Sequence, residues 1–132
     1  MTLCHTGTGG ANRRAGQDVY KRQRFEGVDD LPGTLAKINT DDPVILLAHE
    51  PDIFPNVPAR VALTLSGHTH GGQIKLPFIQ PVWAPSAYGA RFAYGHIVER
   101  DRHMIVSGGL GTSFVPVRIG VTPEIVRVTL GA

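Results

Sequence analysis

The sequence predicts an α/β fold, and three of its features support that prediction. Residues 44–48 and 61–66 are two largely apolar runs, typical of strands that are buried on both faces. Residues 32–38, which precede them, have the pattern of a short helix. Sixteen glycines and ten prolines among 132 residues indicate many loops and few long helices.

The first predicted element is the helix at residues 32–38. Asp30 is a candidate N-cap, and the apolar residues Leu35 and Ile38 are spaced to lie on one face of a helix. Because the residue before a proline avoids the helical conformation, we expect this helix to end before Pro43. The first buried strand then begins directly after that proline.

Four more segments have strand character. Residues 73–76 form a third candidate strand, and residues 94–100 and 103–107 form a candidate hairpin. From residue 126 to residue 130, apolar and polar side chains alternate. This alternation predicts a C-terminal strand with one buried face and one solvated face.

Residues 1–23 differ in composition from the rest of the chain. They carry four basic side chains and one acidic one, whereas residues 24–132 carry nine basic and ten acidic ones. Residues 18–23, DVYKRQ, resemble the translated end of a transposon used to prepare sequencing libraries. We therefore interpret residues 1–23 as a non-native or disordered leader and expect no nucleic-acid partner. The alternative is a native basic tail that contacts nucleic acid or anionic lipid.

Cysteine content and hydropathy exclude two classes of protein. Cys4 is the sole cysteine, so no disulfide framework can form within the chain. No window approaches the roughly 18 consecutive apolar residues of a membrane-spanning helix. The first residues also lack the basic and apolar regions of a signal peptide.

Histidines follow both apolar runs, where each strand is predicted to end. The sequence GHTHGG at residues 67–72 places His68 and His70 two positions apart between glycines, and His49 follows the first run. If the two strands are parallel neighbours, their carboxyl ends meet at one edge of the sheet, where α/β proteins bind ligands. Neutral imidazole is a common metal ligand, so His49, His68 and His70 are candidate metal ligands. The alternative is a set of hydrogen-bonded loop histidines.

Other metal folds match these residues less well. A metallo-β-lactamase-type site would continue with Asp-His, where this chain has Gly71-Gly72. A cupin would need a glutamate a few residues later, where Ile74 and Lys75 stand. A zinc finger would need further paired ligands, and Cys4 has no second cysteine.

Four segments carry a resemblance to a known family: GVDD at 27–30, LLAHEPD at 46–52, SGHTHGGQ at 66–73 and GLGTS at 109–113. Pro116, Arg118 and Pro123-Glu124 follow them. Together these motifs resemble the calcineurin-like metallophosphoesterases. They are most similar to the bacterial branch with membrane-associated phosphodiesterases and diacylglucosamine-nucleotide pyrophosphatases. The resemblance covers about residues 24–131.

The resemblance implies both a fold and an activity. Residues 24–132 would be the C-terminal part of a double β-sheet sandwich flanked by helices. Two divalent metal ions (Mn, Fe, Zn or Mg) would activate a hydroxide that attacks the phosphorus of a phosphoester, nucleotide-linked or lipid-linked. By motif, His49 and His68 would ligate the second metal and His70 the first. Complete family members can be membrane-associated, although this chain has no recognisable membrane segment.

The chain also departs from the family pattern. The early motifs Asp-any-His, Gly-Asp and Gly-Asn-His-Asp, which supply the remaining ligands and the bridging carboxylate, do not precede the three histidines. We therefore predict a hydrolase fragment that is inactive, or nearly so, by itself. The alternative is a non-catalytic metal-binding or interaction domain in which the same histidines hold one structural ion.

Two further predictions concern residues outside the histidine motifs. Arg118 is a candidate for binding the substrate phosphate, because a guanidinium group matches phosphate geometry. His96 and His103 are expected to face each other across the hairpin as surface residues. The glycine-rich residues 108–112 are interpreted as a turn before the last strand, since no helical pattern follows them.

Overall fold

A computed structural model describes residues 30–78, 84–113 and 115–131, together with the backbone of residues 2–5. The five strands are β1 (Thr2–His5), β2 (Val44–Leu47), β3 (Val61–Ser66), β4 (Gly95–Glu99) and β5 (Arg102–Val106). The α-helix α1 spans Leu31–Leu35, and 3-10 helices span Pro51–Asn56, His70–Gly72 and Gly89–Phe92.

The strands form a mixed sheet in the order β1-β2-β3-β5-β4. All neighbours are parallel except β4 and β5, which pair antiparallel. The predicted α/β class is therefore confirmed. Because β2, β3 and β5 are parallel, their carboxyl ends meet at one edge of the sheet, and the predicted site residues follow two of these ends.

The hydrophobic core lies on one face of the sheet. Val44 and Leu46 from β2 and Met104 and Val106 from β5 point into it, since alternate side chains of a strand share a face. The rings of Phe54 and Phe92, both fully buried, meet edge to face at 5.9 Å. The remaining members are Leu31, Ala48, Val57 and Val61.

Helix α1 begins at the predicted cap. The Asp30 carboxylate accepts a hydrogen bond from the Gly33 N–H at 2.8 Å, and Pro32 occupies the first turn, where its missing N–H costs nothing. The helix ends at Leu35, three residues earlier than predicted, and Leu35 and Ile38 still pack against the core.

The predicted hairpin is present as β4 and β5, with five residue pairs between them. Arg100 and Asp101 make the turn with φ of 51° and 60°. Positive φ at both central residues is typical of the type I′ turn, whose twist matches that of the two strands. Arg102 is therefore the first residue of β5 rather than part of the turn.

The Arg102 guanidinium is buried and connects the hairpin to the 3-10 helix at Pro51–Asn56. It donates hydrogen bonds to the carbonyls of Phe54 at 3.1 Å and Pro55 at 3.2 Å, and to the Val57 carbonyl. Its charged carbon also lies 5.2 Å from the centre of the Phe54 ring. Several carbonyl partners compensate the desolvation of this buried charge.

Two predicted strands do not form. Residues 73–76 contribute one isolated bridge, Ile74 to Ile119, and residues 121–131 have no strand pairing. A strand requires a hydrogen-bonded neighbour, and no described residue supplies one to residues 126–130. Val126 and Leu130 are accordingly 41% and 51% exposed.

One strand was not predicted. Thr2–His5 lies in the head of the chain, for which no strand was expected, and pairs parallel with β2. The four residues are too few to show a period, and the pairing partner is distant in the sequence, which explains the omission. The rest of the interpreted leader, residues 6–23, and the resemblance motif's Asp29 lie outside the described residues.

The described residues contain one sheet, so the second sheet of the expected sandwich has no counterpart among them. Within the same part of the chain, no helix is long and apolar enough to cross a membrane.

Candidate metal centre

Backbone hydrogen bonds bring the ends of β2 and β3 together beyond the strands themselves. The Ala48 N–H donates to the Leu65 carbonyl at 3.0 Å, and the Gly67 N–H donates to the His49 carbonyl at 3.1 Å. His49 is thereby held directly beside the glycine that precedes His68. His49 and His68 therefore lie side by side at the ends of β2 and β3, as the two apolar runs predicted.

The two imidazoles face each other at close range. His49 Nε2 and His68 Nδ1 are 3.1 Å apart, with ring centroids separated by 4.9 Å and the rings inclined by 70°. Two imidazole nitrogens that bind one ion at about 2.0–2.1 Å lie about 2.9–3.4 Å apart at angles of 90–110°. The nitrogen separation therefore fits a pair of ligands to a single ion.

The histidine loop adopts a strained backbone. His68 and His70 have φ of 68° and 51°, a region that residues with a side chain rarely enter. Each such residue costs about 1–3 kcal/mol, and backbone strain of this kind concentrates at functional sites. Gly71 has φ of 64°, which glycine adopts without strain. A side chain is also excluded there by space, because a Cβ would lie 2.8 Å from Val121 Cγ1.

Thr69, between the two histidines, anchors the loop to the protein. Its side chain is 1% exposed, and its hydroxyl donates to the Ala93 carbonyl at 2.6 Å. Ala93 follows the 3-10 helix at Gly89–Phe92, whose Phe92 belongs to the core. The loop that carries both histidines is therefore fixed by a buried hydrogen bond.

His70 lies apart from the pair. No group of three His, Cys, Asp or Glu side chains within the described ranges is close enough to hold one ion. His70 nevertheless lies near enough to His49 to affect its titration, and its Nδ1 is buried without a hydrogen-bond partner. A buried imidazole nitrogen without a hydrogen-bond partner is suited to bind a metal. The three histidines are therefore arranged as one close pair, His49 and His68, with His70 nearby.

Burial keeps these imidazoles neutral. It lowers the pKa of His49 below the ordinary value of about 6.5, and the charge of His70 lowers it further. Burial also lowers the pKa of His70, as does the charge of Arg118, while a hydrogen bond to the Gly111 backbone acts in the opposite direction. Since only neutral imidazole binds a metal, both shifts favour ligation at neutral pH.

The acidic residues beside His49 have different positions. Glu50 is 8% exposed, and its Oε1 lies 4.0 Å from His68 Nε2, on the side of the ring away from His49. Asp52 accepts hydrogen bonds from the Ser86 hydroxyl at 2.5 Å and the Ala87 N–H at 2.6 Å. Asp52 therefore ties down the segment at 84–88, whereas Glu50 can orient the His68 ring.

Arg118, predicted to bind phosphate, donates instead to carbonyl groups in the described structure. Its partners are the carbonyls of Gly108 at 3.0 Å, Gly111 at 2.6 Å, Val121 at 3.1 Å and Thr122 at 3.4 Å. These bonds hold the loop at 107–113 beside His70. Phosphate binding by Arg118 stays a prediction, and it would have to compete with these contacts.

Two further side chains hold the same loop. Glu124 accepts hydrogen bonds from the Gly108 N–H at 2.9 Å and from the Tyr94 hydroxyl at 2.6 Å. The Tyr94 bond is the largest cause of a lowered pKa for Glu124, and the carboxylate in turn raises the pKa of Tyr94. Sequence analysis singled out neither interaction, because the partners are about 16 and 30 residues apart.

Gln73 is a third residue whose role the sequence analysis missed. Its amide donates to the carbonyls of Val115 at 2.7 Å and Val117 at 2.8 Å and accepts from the Ser113 N–H at 2.7 Å. It thereby joins the histidine loop to residues 113–117. Two features of the sequence point to Gln73: it directly follows the two glycines, and it belongs to the SGHTHGGQ segment.

The strand ends also form an open cavity. It measures about 350 Å³ and is lined by His49, Ser66, Gly67 and the neighbouring residues of β2 and β3. The Ser66 hydroxyl is buried without a hydrogen-bond partner. A ligand in this cavity therefore has access to the exposed His49, whereas the buried Ser66 hydroxyl lies beneath the cavity surface.

A mixed sheet with a histidine pair at its carboxyl edge defines an α/β protein with a candidate metal centre, and comparisons with known proteins narrow that class. Over 105 residues the chain is 42% identical to the uncharacterized metallophosphoesterase YkuE of Bacillus subtilis, a match over 79% of this chain and 36% of YkuE. It is 33% identical over 91 residues to the phosphodiesterase YaeI of Escherichia coli, covering 67% of this chain and 32% of YaeI.

A zebrafish transmembrane protein with a metallophosphoesterase domain is 30% identical over 136 residues, covering 85% of this chain and 30% of that protein. No family model and no solved structure matches the chain. The chain belongs to the calcineurin-like metallophosphoesterase family, as the histidine motifs indicate. It spans about a third of the length of the curated relatives it matches.

Proposed function

We propose that this chain supplies part of the catalytic centre of a metal-dependent phosphoesterase that hydrolyses a phosphodiester or pyrophosphate bond. His49 and His68 bind one divalent ion, and His70 binds a second. The observation that carries the proposal is the separation of 3.1 Å between His49 Nε2 and His68 Nδ1 at the carboxyl edge of the sheet. The names of YkuE and YaeI support the reaction class.

The donor set suits the proposed ions. Imidazole nitrogens bind zinc, iron and manganese, and the two facing nitrogens are already spaced for one ion. The buried and unpartnered Nδ1 of His70 suits the second. Divalent ions held by His49, His68 and His70 would supply Lewis-acid chemistry, that is, polarisation of the phosphoryl group and a lower pKa for bound water.

The protein's own contribution is to hold these ligands in place. Glu50 lies 4.0 Å from the far nitrogen of His68, and an approach of about 1 Å would give the hydrogen bond that orients metal-bound histidines. The anchored Thr69 and the backbone strain of its two neighbours restrict the loop to one arrangement. The ligands therefore need little rearrangement when an ion binds.

We further propose that the chain alone has little or no hydrolase activity. Two paired imidazoles and one neighbour are fewer ligands than two ions need, and no bridging carboxylate lies among the described residues. The ligand set would be completed by sequence corresponding to the part of YkuE that this chain does not match. The substrate we propose is a phosphoester, as the name of YaeI suggests.

Two measurements test this proposal. Crystals soaked in Mn²⁺ should show an anomalous peak between His49 and His68, and the peak should disappear in His49→Gln. A chimera in which the unmatched part of YkuE is joined to this chain should hydrolyse bis(p-nitrophenyl) phosphate. In that chimera His68→Gln should reduce the rate at least tenfold, whereas Arg127→Gln, an exposed matched control, should not. Hydrolysis by the chain alone, or an equal rate in His68→Gln, would contradict the proposal.

The second candidate function is a non-catalytic domain that holds one structural ion. It is favoured by one observation, that no third His, Cys, Asp or Glu in the described ranges joins His49 and His68 around a common ion. Metal stoichiometry separates the candidates. Two bound ions with hydrolysis in the chimera support the phosphoesterase, whereas one tightly bound ion without hydrolysis supports the structural role.

A further inference from the structure

A second pair of histidines lies on the β4–β5 hairpin. His96 Nε2 and His103 Nδ1 are 3.0 Å apart, and the two rings meet edge to edge, with centroids 5.2 Å apart and planes inclined by 21°. His96 pairs with Ile105 and His103 with Val98, so the two histidines are diagonal neighbours on one face. This face is opposite the core, because the alternate residues Met104 and Val106 are core residues.

We propose that His96 and His103 form a second, surface metal site that binds one Zn²⁺, Ni²⁺ or Cu²⁺ ion. The nitrogen separation of 3.0 Å lies within the range of about 2.9–3.4 Å expected for two imidazoles on one ion. Borderline divalent ions of this series prefer imidazole to carboxylate ligands. Water completes the coordination, since no third His, Cys, Asp or Glu among the described residues joins the pair.

Binding requires a defined change in the protons of the pair. In the hydrogen-bonded pair one of the two facing nitrogens carries a hydrogen, and the other accepts it. For both to bind an ion, the donor ring must take its other tautomer, with the hydrogen on its distal nitrogen. Each ring then carries one hydrogen on its distal nitrogen, and the ion takes the place of the shared hydrogen between the facing nitrogens.

The hairpin holds the two histidines side by side before any ion binds. Five residue pairs and a two-residue turn fix the relative positions of the two strands. His96 is exposed and His103 is half-buried, so an ion and its waters can reach the facing nitrogens. The strands stay in place and only the two imidazole rings must turn to aim both nitrogens at one ion, so little conformational entropy is lost when the ion arrives.

The hairpin pair is separate from the candidate centre at the strand ends. It lies on β4 and β5, whereas His49 and His68 follow β2 and β3. The chain does contain one Asp-any-His tripeptide, at residues 101–103, but its Asp101 lies in the hairpin turn, at the end of β5 away from those histidines. The two proposals can therefore fail independently.

The test is an NMR titration of the full chain with Ni²⁺ below one equivalent. Paramagnetic broadening should reach the ring-proton signals of His96 and His103 together. In a His49→Gln, His68→Gln background, which removes the other pair, the same broadening should persist. His96→Gln and His103→Gln should each weaken Ni²⁺ binding in that background at least tenfold.

The contrary results are equally defined. Broadening confined to His49, His68 and His70 in the unaltered chain would overturn the hairpin site and leave the strand-end centre supported. Unchanged Ni²⁺ affinity in His96→Gln would overturn it as well. Broadening of His96 and His103 without any broadening of His49 and His68 would count against the proposed function. It would not count against the hairpin site.

Discussion

At the scale of single residues, a hydrogen bond couples the titration of Glu124 to Tyr94. The hydroxyl donates to the carboxylate at 2.6 Å and is the largest cause of its lowered pKa. Tyr94→Phe should therefore raise the pKa of Glu124 toward its ordinary range, which a carboxyl-detected NMR titration measures. Tyr88→Phe, which removes an exposed hydroxyl elsewhere, should leave the Glu124 pKa unchanged.

The pKa values of His49 and His70 predict how stability depends on pH. Both are lowered in the folded protein, so the unfolded chain binds more protons once the pH falls below about 6.5. The stability of the metal-free chain should be full above that pH and should decrease as the pH falls toward the lowered folded values. Urea unfolding at pH 7.5 and at pH 5.5 measures the difference.

The control for this dependence is His49→Gln, which removes one of the two titrating groups. Its stability should change less between the two pH values than that of the unaltered chain. An equal change in both proteins would show that other groups cause the pH dependence.

The sequence predicted that His49 and His68 lie close together, but not the contacts that surround them. His49 and His68 could be paired in advance because each follows an apolar strand, and parallel strands place their ends together. The positive φ of His68 and His70 and the carbonyl contacts of Arg118 could not be predicted. The loop that carries both histidines is held by contacts that span 24 to 44 residues, from Thr69 to Ala93 and from Gln73 to residues 113–117. The partners of Arg118 are only 3 to 10 residues away, but they lie in an irregular segment whose conformation no sequence period predicts.

At the scale of elements, Arg118 is one of the side chains that hold the loop at 107–113 in position beside His70. Four carbonyl groups lose a charged donor in Arg118→Ala, so we expect a loss of about 1–3 kcal/mol in the free energy of unfolding. The amide protons of residues 107–113 should also exchange faster with solvent. Denaturant unfolding and hydrogen exchange measure the two effects.

Arg127→Ala is the matched control, because this exposed arginine lies in the segment without strand pairing. It should change neither stability nor exchange in the loop by a measurable amount. Faster exchange that extends evenly over β2 and β3 in Arg118→Ala would indicate global destabilisation rather than release of the loop.

Elements with a signal in their own sequence were predicted correctly, whereas strands that depend on a distant pairing partner were not. The elements predicted correctly, α1, β2, β3 and the β4–β5 hairpin, have signals within their own residues: a capping aspartate, apolar runs and a polar break. The segment at 126–130 has the period of a strand and no neighbour to pair with in the described structure. Thr2–His5 has a neighbour and no period, so its pairing could not be foreseen.

At the scale of the whole molecule, exposed apolar side chains concentrate in the C-terminal segment. Among the described residues, seven of the twelve exposed large hydrophobic ones lie between residues 110 and 130. They are Leu110, Val115, Val117, Ile119, Ile125, Val126 and Leu130. Apolar surface gathered in one segment favours association.

We therefore expect the chain to associate as its concentration rises. Ile125→Asp, at the position with 83% exposure, should shift the equilibrium toward the monomer in sedimentation velocity. Val98→Asp, a 53% exposed position on the hairpin, is the control and should have a smaller effect. A chain that stays monomeric at all concentrations would contradict this prediction.

The tight turn at Arg100 and Asp101 has a practical consequence for engineering. Both residues adopt a left-handed backbone that asparagine and glycine tolerate better, and the turn points away from the edge that carries His49 and His68. An Asn-Gly replacement there should rigidify the ribbon. The same position offers an attachment point for a fluorophore or affinity peptide that leaves the His49 and His68 edge of the sheet untouched.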